Sequence, residues 1–182
     1  HQTGGLIGRI DQNVYDSYAT GNVVSNSSYV GGLVGFANAI ENSRSTGNVT
    51  GSSDTVGGLA GYTYQSNNSR ASGNVKGGDR TGGLIGQGGN WTISNSNATG
   101  NVEGTSRVGG LIGYYSGGTL TTSYSTGTVN GTSERVGGLF GETAGGTITA
   151  SYATGAVTAS SNAFVGGFVG YNNSNISGSY TT

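Results

Sequence analysis

Two short blocks alternate along this chain, each with its own spacing of apolar, small and polar residues. Gly-Gly-apolar-apolar-Gly begins at Gly4, Gly31, Gly57, Gly82, Gly109, Gly137 and Gly166, in steps of 25 to 29 residues. Between these lies Ser-x-small-Thr-Gly-Asn-Val, as at Ser17 to Val23 and Ser43 to Val49, with a last partial copy from Ser179 to Thr182. In the second block Ser17, Ala19, Gly21 and Val23 fall on one face of an extended segment, and Tyr18, Thr20 and Asn22 on the other. No copy carries the 3.6-residue apolar stripe of a helix, so the pattern predicts two or three short strands per copy, joined at Gly, Asn and Ser. Self-similarity at this period predicts an all-β fold, a β-solenoid of about seven coils, with each copy of roughly 27 residues forming one coil. No linker interrupts the series, which predicts a single domain over residues 1–182.

Stacking in register turns recurrence into columns. The inward positions give a valine column of Val23, Val49, Val75, Val102, Val129 and Val157. A second column runs Leu6, Leu33, Leu59, Leu84, Leu111, Leu139 and Phe168. A third runs Val14, Ile40, Ser66, Ile93, Leu120, Ile148 and Ile176, with Ser66 the exception. Three columns imply a coil with about three faces. The glycine block poses a conflict, because strict alternation sends Leu33 and Val34 to opposite faces although both are apolar. Either a glycine kink turns both into one core, or one column forms an apolar stripe that something else covers. Differences in copy length place insertions at coil corners, as in Tyr114 to Thr119 and Thr158 to Phe164.

Composition narrows the classes of function. Only 8% of residues are charged and the formal net charge is -1, which offers no footprint for nucleic acid or an anionic membrane surface. No apolar run is long enough to span a bilayer, so no membrane insertion is expected. The 39 glycines show no every-third-residue period and Pro is absent, which excludes collagen. Cys is absent as well, so no disulfide framework or thiolate chemistry exists. The chain opens close to a glycine block and stops inside the seventh Ser-x-small-Thr copy, so it reads either as a fragment of a longer array or as a unit that joins head-to-tail.

Catalytic chemistry is not expected. His1, the single histidine, stands at the terminus, and the eight carboxylates do not recur as a pair at one repeat phase. Gly-Gly-x-x-Gly lacks the Lys and helix of a phosphate loop and the Asp of the calcium-binding nonapeptide. No cofactor is expected, and calcium on a few loop carboxylates and carbonyls stays open.

The outward columns are the candidate sites. Thr20, Thr46, Ser72, Thr99, Thr126 and Thr154 align, and two residues further along run Asn22, Asn48, Asn74, Asn101 and Thr128. As a flat Thr-x-Asn grid at about 4.7 Å spacing, these groups suit ice or another regular ligand, or simply bond along the stack. Tyr18, Tyr124, Tyr152 and Tyr180 share a column with Arg44, Arg70 and Asn97. Phe36, Tyr62, Tyr114 and Tyr171 share another with Arg9, Gln87 and Glu142. Such aromatics can stack on a polysaccharide or on each other. Arg80, Arg107 and Arg135 also align, beside Asp79 and Glu134.

The segments Val30 to Gly35 and Val108 to Gly113, with the intervening Ser-Tyr-Ala-Thr-Gly-Asn-Val, resemble the GLUG repeat of bacterial surface and secreted proteins. The resemblance implies an extracellular, secreted or surface-attached location and a passive part of a long adhesin-like chain, without catalytic residues. The expected function is a structural or adhesive stalk, or a self-assembling fibre unit whose partner is another copy, head-to-tail or lateral, or a host or matrix surface. Ice binding through the Thr-x-Asn columns and polysaccharide binding through the Tyr columns are the alternatives.

Overall fold

The computed structural model describes residues 1–160 and 163–182. Every strand among them pairs in parallel with its counterpart in the coils before and after, giving sheets of seven, twelve, seven and six strands, here named A, B, C and D. The fold is a β-solenoid of about seven turns. The second coil shows the path: Tyr29–Gly31 in sheet A, Val34–Glu41 in sheet B, Arg44–Ser45 in sheet C and Val49–Gly51 in sheet D. Each coil therefore has four sheets rather than the three faces expected. Sheet B is one eight-residue strand in the second and third coils, and the insertion between Tyr114 and Thr119 splits it in a later one. The other expected insertion, Thr158 to Phe164, includes residues 161 and 162, which lie outside the described residues.

The three inner columns form as expected. Val23 pairs with Val49, Val49 with Val75, Val75 with Val102, Val102 with Val129 and Val129 with Val157, and the first five are buried. These valines meet a sheet A column of Val30, Val56, Val108 and Val136. At Thr81, which replaces Val in that column, the hydroxyl donates to the Gly78 carbonyl and the apolar contact divides in two. Apart from their exposed end members Leu6 and Ile176, the leucine and isoleucine columns fill a larger core, enclosed by sheets B and C. Each such side chain contributes roughly 1.5–3 kcal/mol when fully buried.

A glycine kink resolves the conflict at Leu33 and Val34, since both have zero exposure and lie in the same core. The amides of Leu33 and Val34 both donate to the Leu59 carbonyl, at 2.9 and 3.1 Å, so two residues occupy one step of the ladder. Contact, more than flexibility, demands the glycines. A Cβ on Gly31 would strike the Val34 carbonyl and lie 2.7 Å from the Ala60 Cα, because sheets A and B touch there backbone to backbone. One on Gly32 would strike Ser45, whose column in sheet C is otherwise Ala19, Ala71, Ala98, Ser125, Ala153 and Thr181.

The corner between sheets B and C needs a residue with positive φ in each coil: Asp16, Asn42, Asn68, Asn95, Thr122 and Ala150 stand there at 46° to 51°, followed by Gly178 at 55°. Asn and Asp adopt this region readily, whereas Thr and Ala do so at a cost. The turn takes the next amide off the strand ladder. The Ser43 N–H donates to Ser69 Oγ, Ser69 N–H to Ser96 Oγ, and so on from Ser17 to Ser179, at 3.1 to 3.3 Å. Each of these hydroxyls in turn donates to the carbonyl two residues earlier, as Ser96 Oγ does to Ser94 at 2.8 Å. One serine per coil thus accepts the amide that the corner strands and adds a second donor to a nearby carbonyl, such as that of Ser94, which also takes the Asn68 amide.

Three substitutions separate these effects. Ser96→Ala leaves the Ser69 amide unpaired and removes one of the two donors on the Ser94 carbonyl, which keeps the Asn68 amide, and is expected to cost roughly 2 kcal/mol. Ser45→Ala, in contrast, is expected to be neutral or stabilising, since Ser45 Oγ is buried without a partner and alanine already fills this column in other coils. Ala150→Asn relieves the positive φ and is expected to add about 0.5–1 kcal/mol. Urea denaturation midpoints read all three, and a Ser96→Ala variant as stable as the parent would refute the role given to the serine column.

Candidate functional site

The Thr and Asn columns sit in the connection between sheets C and D. Arg44–Ser45 ends sheet C and Val49–Gly51 begins sheet D, so Thr46, Gly47 and Asn48 form the link instead of one flat strand. Thr20, Thr46, Ser72, Thr99, Thr126 and Thr154 are all exposed, as are Asn22, Asn48, Asn74, Asn101 and Thr128. The asparagines are already engaged: Asn22 Oδ1 accepts the Asn48 N–H, Asn48 Oδ1 the Asn74 N–H, Asn74 Oδ1 the Asn101 N–H and Asn101 Oδ1 the Thr128 N–H, at 2.9 to 3.0 Å. This ladder does at the C–D corner what serine does at the B–C corner. The amide oxygens are committed to the backbone, and only the Nδ2 groups remain as outward donors.

Beside the asparagines the surface is concave. A groove of about 420 Å³ runs along the stack between a row of Asn48, Asn74, Asn101 and Thr128 and a row of Thr50, Lys76, Glu103 and Asn130. Lys76 Nζ and Glu103 Oε1, in adjacent coils, pair at 2.7 Å across exposed positions, a contact of little energetic weight. The second row escaped sequence reasoning because its residue changes from copy to copy. Its one signal was its phase, the position after the inner valine.

The tyrosine column on sheet C stacks on itself. Tyr124 and Tyr152 lie 4.8 Å apart at 2°, and Tyr152 and Tyr180 5.2 Å apart at 10°. At the other end Arg44 covers the Tyr18 ring at 4.7 Å. Most ring faces of the column are therefore occupied by neighbours in the stack. Burial, with Tyr124 and Tyr180 alongside, pushes the Tyr152 phenol up.

A second array fills the mouth between sheets A and B. In its lower half Phe36 stacks on Tyr62 at 5.3 Å, with Tyr29 and Tyr64 packed edge-on. In its upper half Arg80, Arg107 and Arg135 are in register, and acids are threaded among them. Arg107 pairs with Asp79 and, at 2.5 Å, with Glu142, which also pairs with Arg135. Burial opposes the Arg107 charge, yet the two carboxylates hold its pKa above the ordinary value. The expected partner Glu134 is replaced in this network by Glu142, which comes from the neighbouring sheet.

Burial raises the phenols of Tyr62 and Tyr115 well above 10.0, their ordinary value, and hydrogen bonding to Tyr64 adds to the effect at Tyr62. In the unfolded chain both phenols ionise near 10.0, so their stabilisation is complete below that pH and is lost as pH rises towards the folded values. Alkaline unfolding is therefore expected, with these two of the eleven tyrosines ionising only as the fold opens. Parallel ultraviolet titration and circular dichroism check this, and all tyrosines ionising with the fold intact would contradict it.

A family model described as the GLUG motif matches residues 26–50, 77–103 and 104–130. Each match takes in one glycine block, one serine-threonine block and the strands of all four sheets, so the motif is one turn of the solenoid. No curated protein and no solved structure matches the chain. With three matches in phase with its own repeat, the chain carries a GLUG-repeat region across residues 26–130.

Proposed function

We propose that this chain is a rigid, non-enzymatic spacer in an extracellular, surface-attached bacterial protein, a stalk that holds other parts at a set distance. The carrying observation is the unbroken register: all four sheets continue through successive coils, and both corners are bonded along the stack by their own side-chain ladders. Such an object resists bending, because tilting one coil stretches ladders on every side. Its length is set by coil number, with each coil adding about 4.8 Å. The small charged fraction and absence of Cys suit an extracellular repeat, and the GLUG matches fit a modular array.

Length by coil number is directly testable. Gly82 and Gly109 are in register, so deleting residues 82–108 removes one coil and rejoins equivalent positions. The shortened chain is expected to fold cooperatively and, in small-angle X-ray scattering, to be shorter by about one strand spacing, roughly 4.8 Å, with an unchanged cross-section. Loss of the fold, or a change in cross-section in place of length, would reject a spacer built from interchangeable coils.

A further inference from the structure

Trp91 is the sole tryptophan, and it is 54% exposed. One side of its indole rests against the Tyr64 ring, 5.5 Å away and tilted by 36°, in the coil before. The register that pairs Thr92 with Thr119 sets Gly118 opposite Trp91 in the coil after. Gly118 has φ +92°, and a Cβ there would strike the Trp91 carbonyl, so this position holds no side chain to cover the indole. The backbone is fixed from below, where the buried Tyr115 hydroxyl donates to the Trp91 carbonyl at 3.1 Å. A large apolar ring is thus held in place, backed on one side and left open on the other. Neither core packing nor the ladders require it.

Its surroundings select a ligand. Thr92, Thr119 and Thr147 follow one another in register, all exposed, with hydroxyls that make no bond within the described residues. Asn90 is exposed alongside. Residues 88–94, 115–121 and 143–149 contain no charged side chain. An open aromatic face beside a file of neutral hydroxyls complements a molecule with an apolar CH face and hydroxyls at its rim. We infer that Trp91, with Thr92, Thr119 and Thr147, binds a neutral linear polysaccharide of β-linked pyranoses. Equatorial hydroxyls leave the ring CH groups free to stack on the indole, and successive coils offer hydroxyls to successive sugars. Glycan capture here is independent of the spacer role, since the residues involved belong to neither corner ladder.

A single tryptophan makes the site report on itself. Titrating the full chain with cellohexaose, xylohexaose and chitohexaose is expected to give a saturable change in tryptophan emission with at least one of them. In gels containing hydroxyethyl cellulose or glycol chitin, Trp91→Ala is expected to weaken retention by about tenfold, with circular dichroism unchanged. Trp91→Phe, which keeps a ring face, is expected to recover part of the binding, whereas a merely structural role would not distinguish these two variants in the gel. No saturable change with any of the three oligosaccharides, or equal retention of the parent and Trp91→Ala, would overturn the inference.

Discussion

The corners are the constraint on which the rest depends. Along a strand each coil bonds the next without help from side chains, but a coil must turn, and every turn removes backbone groups from the ladder. Such groups cost about 1–3 kcal/mol each when buried and unpaired. The chain meets this cost with a side chain at two of its corners and with glycine at a third. Serine serves the B–C corner, where its hydroxyl both accepts an amide proton and donates to a carbonyl. Asparagine serves the C–D corner, where its oxygen accepts from the following coil. At the A–B corner no side chain fits, and glycine lets the sheets meet directly while the Leu59 carbonyl takes two amides. The repeat motif is in large part a record of these three solutions.

Much of this was legible in the sequence, for a specific reason. Stacking places like residues over like, so a column that matters recurs at one phase, and the valine, leucine and isoleucine columns could be named before any coordinates. The number of sheets was less legible. Ser45, Thr46, Gly47, Asn48 and Val49 alternate inward and outward as one strand would, although the chain passes from sheet C to sheet D within them. Corners made by side-chain bonds leave the period-two pattern intact and stay hidden from it. Ser43 illustrates the same limit. Its recurrence was visible, but a small inward residue reads as a spacer for tight packing, and only the paired distances to Ser69 and Glu41 reveal a relay.

Recurrence also misleads in the other direction. The Thr, Asn and Tyr columns drew attention because they repeat, yet the asparagine oxygens are committed to the backbone and most of the tyrosine faces to each other. Trp91 occurs once, so recurrence gives no signal for it. Here the repeated asparagines and tyrosines serve the stack itself, whereas Trp91 stands outside the repeat. Exposure without periodicity is therefore the better pointer to a ligand in this architecture, and Trp91 satisfies it where the regular columns do not.

The same stacking accounts for the scarcity of charge. A charged residue written into the repeat would lie about 4.8 Å from its own copy, where two like charges repel by roughly 1 kcal/mol in water and 3–4 kcal/mol at the effective dielectric of a protein surface. Seven coils would multiply that cost, so an 8% charged fraction is what the geometry permits more readily than what solubility asks for. The exceptions obey the rule. Arg80, Arg107 and Arg135 do stack, and there Asp79 and Glu142 are drawn in from a loop and a neighbouring sheet to separate them. Arg44 and Arg70 stack on sheet C at exposed positions, where water screens them and Arg44 leans on Tyr18. Hydroxyl, amide and aromatic groups carry no such penalty in a column, which is why Ser, Thr, Asn and Tyr make up this surface and why a ligand that fits it should be as neutral as the surface itself.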